Sequence, residues 1–451
     1  MIEITDKIRI DLTLHPIRKD LLRELTYKNP EYYQKMNLGL SVFRTPKEVK
    51  TYEIDPAETK LTIMRGEFHK VKPYIYGIEV SSRHPDHPIK LQYINNDFEL
   101  DQYQQGAVAA ITGRRQGVIH AVTSAGKTLI ILKSICELKQ KALILVHRKI
   151  LMQQFLDDIE KYIRDEHGNK IEPGIMGDGK ITIGPITVAI DKTFSKYTDS
   201  LKEEFGAVFL DECHLAPANT LYTIVNNQNT KYRFGFSGTL RRKDQKEFLI
   251  FSTFGPVAYK IGEDELLELN RVVPVQVEVI ETRTEVELPE EISPTQQYQL
   301  IEKTLSNDYI RQSIIVDHVA KLPGKTIILS RLVEPCYNMR DMLKMRHGIE
   351  AGIITGRDSK EALESYNQMK FKDLKIIFAT VGCVSTGVSI SDLDNIVLIS
   401  PIYNNELLLK QIKGRLMRTA EGKQKGTLYF VYDPYVFPES KLRKFIRLIN
   451  S

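Results

Sequence analysis

From about residue 100 onward, the chain alternates short, almost wholly apolar runs with longer helical patterns. The first series of runs is GVIHAV (117–122), KALILV (141–146), ITVAI (186–190), AVFLDE (207–212) and RFGFSG (233–238). The second series is TIILS (326–330), AGIIT (351–355), KIIFAT (375–380), NIVLIS (395–400) and TLYFVYD (427–433). Apolar runs of this kind, joined by helices, predict βαβ units whose parallel sheets are buried on both faces. The sequence therefore predicts two α/β domains in tandem.

Changes in composition indicate where these domains begin and end. Residues 256–295 contain prolines and an acidic stretch, which are typical of a connection between domains, so we place a boundary at 288/289. Before residue 96 the pattern changes to a helical piece, RKDLLRELTY, and alternating segments such as KLTIMRGEF. The predicted organisation is a small N-terminal α+β accessory domain (1–95) followed by two parallel-sheet domains (96–288 and 289–451).

Composition also excludes several classes of protein. The 451 residues carry 63 Lys and Arg against 58 Asp and Glu, a formal charge of +5, which barely favours a polyanionic partner. Apolar runs such as Ala142–Val146 are far shorter than the roughly 18 residues that span a bilayer, so we expect no membrane segment. The four cysteines lie far apart without a C-x-x-C, which predicts neither a disulfide framework nor a zinc ribbon. The N-terminal stretch lacks the apolar core of a secretory signal, so we expect a cytoplasmic protein, in the host cytoplasm if the source is viral.

The segment AVTSAGKT (121–128) stands between a predicted strand and a predicted helix. It matches the phosphate-binding loop G-x-x-x-x-G-K-[ST], with Ala121 in place of the first glycine. Backbone N–H groups at the start of the helix would hold phosphates, Lys127 would reach the β- and γ-phosphates, and the Thr128 hydroxyl would bind Mg²⁺. The alternative, a turn of small residues with a chance lysine, fits the order of elements poorly. The residues predicted to bind ATP here are Thr123, Ser124, Ala125, Gly126, Lys127 and Thr128.

The segment DECH (211–214) ends another apolar run, 84 residues after Lys127. Two adjacent carboxylates at a strand end suit a second nucleotide-binding motif, in which Asp211 holds Mg²⁺ and Glu212 polarises the attacking water. The alternative is an acidic strand end with a buried cysteine and a structural histidine. A zinc site at Cys213 and His214 is disfavoured, because no second pair of ligands has suitable spacing.

Two further segments are candidate functional sites because of where they lie in the chain. Ser237 and Thr239 flank a glycine at a strand end, where their hydroxyls could bridge the carboxylates to a neighbouring surface. Arg415 and Arg418 are three residues apart in a helical pattern, so we expect both on one helical face. Guanidinium groups could stabilise the charge on a transferred phosphoryl group, although a solvated basic helix end is the simpler interpretation.

In this order, the segments resemble the motifs of the superfamily 2 helicases and translocases, with a second motif of the DExH type. The resemblance covers about residues 98–433, and includes TIILSRLVEP (326–335), ATVGCVSTGVSI (379–390) and QIKGRLMR (411–418) in the second half. Within the superfamily, the short core and the small preceding domain look most like the phage UvsW-type branch-migration helicases. The resemblance implies two RecA-like lobes, with ATP bound in the cleft between them and hydrolysed on closure.

The resemblance also implies roles for other residues. Tyr103 and Gln104 match the glutamine motif that recognises adenine, and Gly387 lies in a small-residue turn near the nucleotide. Arg415 and Arg418 match the arginine fingers. The residues expected to couple the nucleotide to the cleft are His214, Ser237, Thr239 and Gln411. The candidates for contacts with the nucleic-acid backbone are Arg148, Lys192, Thr193, Arg331 and Thr380, each of which could equally be an ordinary surface residue.

These features predict an ATP-dependent DNA helicase or translocase that acts on branched or forked DNA, with ATP and Mg²⁺ as cofactors. We expect a monomer, and the accessory domain would bind DNA by analogy with the family. Three alternatives remain: an RNA helicase of the same superfamily, a restriction-type motor subunit, and a nucleotide-gated binding protein that grips nucleic acid without stepping. The presence of Glu212 together with the two arginines favours ATP hydrolysis over nucleotide-gated binding.

Overall fold

A computed structural model describes most of the chain. The described residues are 2–16, 19–94, 99–122, 124–215, 221–242, 244–289, 293–355, 359–370, 374–384, 392–401 and 405–450. The chain divides into two compact units, Met1–Gly262 and Glu263–Ser451. Within the described ranges, no helix is both long and apolar enough to cross a membrane.

The first unit begins with an α+β portion, residues 2–94, which we call the N-terminal module. Its elements are β1 (Ile2–Ile4), β2 (Lys7–Asp11), α1 (Lys19–Glu24), β3 (Thr26–Lys28), α2 (Pro30–Asn37), β4 (Glu48–Lys50), β5 (Tyr52–Ile54), β6 (Lys60–Met64), α3 (Phe68–Val71), β7 (Val80–Ser82) and β8 (Leu91–Tyr93). A sheet of order β5-β6-β2-β1-β7 is mainly antiparallel, and β3 pairs separately with β4. Its alternating residues, such as Ile8, Ile10, Leu61 and Ile63, bury one face in a core of the module's own.

The rest of the first unit is a parallel sheet flanked by helices. Its elements are α4 (Gln102–Thr112), β9 (Gln116–Ala121), α5 (Lys127–Leu138), β10 (Ala142–Val146), α6 (Lys149–Tyr162), β11 (Ile163–Asp165), β12 (Gly174–Gly177), β13 (Lys180–Ile181), β14 (Ile186–Ile190), α7 (Asp191–Phe194), β15 (Ala207–Leu210), α8 (Leu221–Asn227), β16 (Tyr232–Ser237), α9 (Phe248–Phe254) and β17 (Val257–Ile261). The strand order is β13-β12-β14-β10-β15-β16-β9-β17. Because β9, β10, β14, β15 and β16 run parallel, the segments that follow them lie at one edge of the sheet.

The second unit contains another parallel sheet. Its elements are α10 (Glu263–Glu268), β18 (Val275–Glu281), α11 (Pro294–Asn307), α12 (Tyr309–Val319), β19 (Lys325–Ser330), α13 (Glu334–His347), β20 (Gly352–Ile354), α14 (Ser359–Lys370), β21 (Ile376–Thr380), α15 (Val381–Val384), β22 (Leu393–Leu398), α16 (Glu406–Leu416), β23 (Gly426–Tyr432) and α17 (Glu439–Asn450). The strand order is β18-β23-β22-β19-β21-β20. The amphipathic α17 packs on this sheet through Phe445, whose ring stacks on that of Phe430.

The predicted fold class, tandem parallel-sheet domains after an α+β region, is confirmed, and every apolar run singled out in the sequence overlaps a strand. The predicted domain boundaries stay predictions, and the division into compact units falls at a different place. Residues 275–281 form β18, which pairs with β23, so the predicted boundary at 288/289 lies inside the second unit. This edge strand alternates half-buried with exposed residues, and its polar positions resemble a linker. The separation of residues 1–95 as an independent domain stays a prediction, because the module has its own core yet belongs to the first compact unit.

Two buried arginines join the N-terminal module to the parallel sheet of the first unit. Arg65 is 2% exposed, and its guanidinium donates hydrogen bonds to the carbonyls of Thr230 and Lys231. Arg233, in β16, is fully buried and donates to the carbonyl of Asp6 at 3.3 Å. Burial and the nearby Arg233 charge lower the pKa of Arg65. Buried cations of this kind must keep their hydrogen-bond partners, so the module and β16 are structurally dependent on each other.

Candidate active site

The predicted phosphate-binding loop lies between a strand and a helix. It runs from the end of β9 at Ala121 to the start of α5 at Lys127. Ser124 and Gly126 have φ of +76° and +73°, in the left-handed region, so the loop turns its backbone sharply before the helix begins. The N–H groups at the N-terminus of α5 form a ready site for anions. Thr123 lies outside the described residues.

Gln104, predicted to contact adenine, lies against this loop. Its side chain is 4% exposed; Nε2 donates to the carbonyl of Ala125 at 3.3 Å, and Oε1 accepts from the N–H of Asp101 at 3.0 Å. A Cβ on Gly126 would overlap Gln104 Nε2. Gln104 therefore braces the phosphate-binding loop against the N-terminus of α4. Its neighbour Tyr103 is 3% exposed, and adenine recognition by either residue stays a prediction.

Lys127 and Glu212 connect the loop to the DECH segment. Lys127 Nζ lies 2.7 Å from Glu212 Oε1, and both side chains are largely buried. Burial lowers the pKa of Lys127, but the carboxylates of Glu212 and Asp211 raise it by more, so its pKa lies above the ordinary value. Glu212 has φ of +50°, a conformation that L-residues adopt rarely and that often marks functional sites. The structure thus brings together two residues that the sequence assigned to one reaction.

Asp211 and Thr128 provide the chemistry expected of a magnesium site. Burial raises the pKa of Asp211 to about 6, against the opposing effect of Lys127. A buried carboxylate that would gain from a nearby cation, together with a hydroxyl at the start of α5, matches the preference of Mg²⁺ for oxygen ligands. Among the described residues, no cluster of three or more His, Cys, Asp or Glu side chains could hold a metal by itself. A magnesium ion at this site would therefore share its coordination with phosphate oxygens and water.

His214, Ser237 and Thr239 form one buried hydrogen-bond network. Ser237 Oγ donates to the carbonyl of Thr239 and accepts from the Thr239 N–H, and it lies 2.7 Å from His214 Nδ1. Because the Ser237 proton is used on Thr239, His214 Nδ1 is the donor toward Ser237. The same nitrogen lies 3.3 Å from Glu212 Oε2. Three of the predicted coupling residues are thus connected to Glu212, while Gln411 lies on α16 in the second unit.

Two pairs that were not predicted from the sequence support these segments. His147 follows β10, and its ring nitrogens lie 3.4 Å from Asp191 Oδ2 and 3.5 Å from the carbonyl of Glu212. Arg242 donates to the carbonyl of His214 at 3.0 Å and pairs with Asp244 at 2.7 Å. A usable signal was present, because His147, Asp191 and Arg242 all follow closely after parallel strands.

The predicted arginine fingers lie at the end of α16 in the second unit. Arg415 lies in the last turn of α16, which ends at Leu416. Arg418 lies beyond the helix and forms an isolated β-bridge with Val272. The prediction that the two arginines share one helical face is therefore wrong. Burial lowers the pKa of Arg418. The ammonium of Lys423 fixes this segment by donating to the carbonyls of Leu416 and Arg418, at 2.7 and 2.9 Å. Gly387 lies outside the described residues.

The proposed nucleic-acid contacts occupy varied environments. Arg148 precedes α6, and Lys192 and Thr193 lie in α7, so all three follow strands of the first sheet. Thr380 is buried at the end of β21, which leaves little of its side chain for a ligand. Arg331, after β19, is 3.4 Å from Glu302 and donates to Tyr298 Oη at 2.9 Å. Contacts of these residues with nucleic acid stay predictions.

Comparisons with known proteins agree with this geometry. A family model described as "Type III restriction enzyme, res subunit" matches residues 97–242, and "Helicase conserved C-terminal domain" matches residues 309–420. A fragment of a putative HsdR subunit of a type I restriction enzyme from Vibrio vulnificus YJ016 has a similar fold, with a TM-score of 0.55 and 19% identity, covering 75% of this chain and 67% of that one.

Curated relatives include two phage proteins. The "Probable helicase D10" of Escherichia phage T5 is 27% identical over 68% of this chain and 65% of its own length. The "ATP-dependent DNA helicase uvsW" of Enterobacteria phage T4 is 26% identical over 75% of this chain and 69% of its own length. The matches thus span about two thirds of either relative. The two family models, matching successive parts of the chain, and these relatives establish that the chain belongs to superfamily 2 of the ATP-dependent helicases and translocases.

Proposed function

We propose that this protein is an ATP-dependent DNA helicase or translocase that unwinds or branch-migrates forked and junction DNA in recombination, repair or replication-fork processing. The observation that carries the proposal is the ion pair between Lys127 and Glu212 beside the buried Asp211. Phosphate-binding lysine, metal-binding carboxylate and water-activating carboxylate are the groups that ATP hydrolysis requires. The relative named as an ATP-dependent DNA helicase supports DNA as the track.

In the proposed reaction, Lys127 exchanges its ion pair with Glu212 for the β- and γ-phosphates of ATP. The released Glu212 carboxylate then accepts a proton from water as the water oxygen attacks the γ-phosphorus and the bond to the bridging oxygen breaks. Bound Mg²⁺, held by Asp211 and Thr128, would neutralise phosphate charge. Arg415 and Arg418 are proposed to stabilise the charge that develops on the γ-phosphoryl group.

The network from Glu212 through His214 to Ser237 and Thr239 would report the state of the nucleotide. A change at Glu212 alters the acceptor that His214 Nδ1 contacts, and His214 in turn contacts the Ser237 hydroxyl. We propose that these contacts transmit the change caused by ATP hydrolysis to the nucleic-acid-binding segments. A motor that contacts the phosphate backbone of nucleic acid, and not its bases, binds without sequence preference and loses affinity as salt rises.

Steady-state ATPase assays test this function. The full-length protein should hydrolyse ATP slowly alone and faster with single-stranded or forked DNA, and it should unwind a labelled fork. RNA and RNA–DNA hybrids in the same panel distinguish the RNA helicase alternative. The Lys127→Ala variant, which keeps the backbone of the loop but lacks the ammonium, must lose turnover. Hydrolysis that ignores every nucleic acid would contradict the proposal.

A further inference from the structure

An exposed apolar loop protrudes from the N-terminal module between β3 and β4. We define the apolar loop as residues 36–44, from the end of α2 onward. Its large apolar side chains are mostly exposed: Met36 52%, Leu38 65%, Leu40 57% and Phe43 82%. Moving apolar side chains of this size out of water lowers the free energy of the system. Four of them together on a short segment therefore indicate a binding surface.

The base of this loop is well anchored. β3 pairs with β4, and Asn29, which precedes α2, donates from Nδ2 to the carbonyl of Pro46 at 2.7 Å. Lys35 Nζ donates to Thr45 Oγ1 at 2.9 Å, and the Leu40 N–H donates to the carbonyl of Lys35 at 2.9 Å. The apolar side chains are therefore presented outward by a hydrogen-bonded frame. Ordering them on a partner would cost little backbone entropy.

The charge of the module is concentrated around the same loop. Residues 1–95 contain sixteen Lys and Arg against thirteen Asp and Glu, and residues 28–50 hold five of the basic and two of the acidic residues. The rest of the module, with eleven of each, is neutral. Of the two acids, Glu31 already pairs with Lys35 and Lys246. The whole positive surplus of the module thus lies in the segment that carries the apolar loop, which suits a polyanionic partner.

An aromatic side chain lies near the C-terminal end of the loop. Phe43 is the most exposed of the four apolar residues, and the guanidinium of Arg44 lies 5.9 Å from its ring centroid. Aromatic rings stack on unpaired bases, and adjacent cations contact the phosphates. An exposed aromatic ring next to cationic side chains is therefore better suited to bind a nucleic acid than to bind an uncharged protein surface.

We propose that the apolar loop engages the branch point of forked DNA, with Phe43 stacking on the base pair or unpaired base exposed there and Arg44 and Lys47 contacting the flanking phosphates. This inference rests on the proposed function and adds a specific DNA contact to it. The loop would bind where the duplex ends. Continuous duplex, which exposes no base face, would not contact the ring.

The absence of tryptophan from the chain offers a direct test. Phe43→Trp places a single tryptophan in the loop, and Tyr76→Trp places one at a 97% exposed position of the same module outside the loop. Forked DNA should quench the emission of F43W much more than that of Y76W, and continuous duplex should quench neither. Equal quenching of the two variants, or quenching of F43W by anionic vesicles and not by forks, would overturn the inference.

Activity measurements separate this inference from the proposed function. Phe43→Ala should weaken fork binding about tenfold and slow fork unwinding, because stacking on one base is lost. ATPase stimulated by single-stranded DNA should stay within about twofold of wild type, and Tyr76→Ala should match wild type in both assays. If wild type itself lacks DNA-stimulated ATPase, the proposed function fails. If wild type is stimulated and F43A unwinds forks normally, only the role of the loop fails.

Discussion

Lys127, the first residue of α5, and Glu212, just beyond the end of β15, form a direct ion pair with 2.7 Å between Nζ and Oε1. The pair joins the phosphate-binding loop to the segment that carries the metal-binding and water-activating carboxylates. While it persists, Lys127 is occupied by a protein carboxylate, so phosphate and Glu212 compete for the same ammonium group.

The first prediction concerns this competition. Glu212→Gln should abolish ATP hydrolysis, because the amide cannot accept the proton of the attacking water. It should also tighten ATP binding, since the charge that competes for Lys127 is removed; a gain of about threefold to tenfold is expected. Titration with a fluorescent ATP analogue measures the affinity, and Lys127→Ala is the control that should lose it. Weaker nucleotide binding by E212Q would contradict the competition.

The second prediction concerns the brace between Gln104 and Gly126. Gly126→Ala should impair nucleotide binding for two reasons: its φ is +73°, and the new Cβ overlaps Gln104 Nε2. The strained φ alone costs roughly 1–2 kcal/mol. Calorimetric titration with ATP of G126A, Q104A and the double variant separates the causes. If overlap dominates, the double variant binds better than G126A; if the two bind equally weakly, the backbone conformation is decisive.

The third prediction concerns pH. Burial lowers the pKa of His214 to about 4 from an ordinary value of 6.5. Between pH 6.5 and 4 the unfolded chain therefore binds a proton that the folded chain does not, and this residue makes stability fall as pH falls, by up to about 3 kcal/mol. Urea unfolding followed by circular dichroism should show a shallower decline for His214→Gln than for wild type. Parallel curves would show that His214 does not control acid stability.

The fourth prediction concerns the N-terminal module. Arg65→Met leaves the carbonyls of Thr230 and Lys231 without their buried donor, so the first unit should lose about 1–3 kcal/mol of stability. Deletion of residues 1–90 removes both Arg65 and Asp6, and it should destabilise the first unit at least as much as Arg65→Met does. Thermal unfolding measures both effects, and the exposed Arg23→Met is a matched control that should change little. An unchanged midpoint for R65M would show that the hydrogen bonds of Arg65 do not stabilise the first unit.

Periodicity and local chemistry were enough to predict much of this molecule. Each apolar run became a strand because burial on both faces of a parallel sheet requires continuous hydrophobicity. The loop at 121–128 and the carboxylates at 211 and 212 were predictable because strand order brings the ends of β9 and β15 to one edge. Three-residue spacing at Arg415 and Arg418 was misleading, because it does not reveal that α16 ends at Leu416.

Features that depend on tertiary partners could not be predicted. The alternating, polar β18 reads as a linker until β23 is placed beside it. Arg65 and Arg233 resemble surface residues in the sequence, and only the packing of the module on β16 buries them. The braces formed by Gln104 and His147 likewise depend on which loops meet in space, which residue spacing along the chain does not specify.

The pairing of β18 with β23 affects how the protein is made. The seven residues Val275–Glu281 find their partner strand only at Gly426–Tyr432, near the end of the chain. During synthesis β18 must therefore leave the ribosome long before the strand that completes its ladder. The first unit, whose strands all precede residue 262, can fold while translation continues. An exposed edge strand awaiting its partner is prone to misassembly, so rapid translation of the intervening segment, or a chaperone that covers β18, would raise the yield of folded protein.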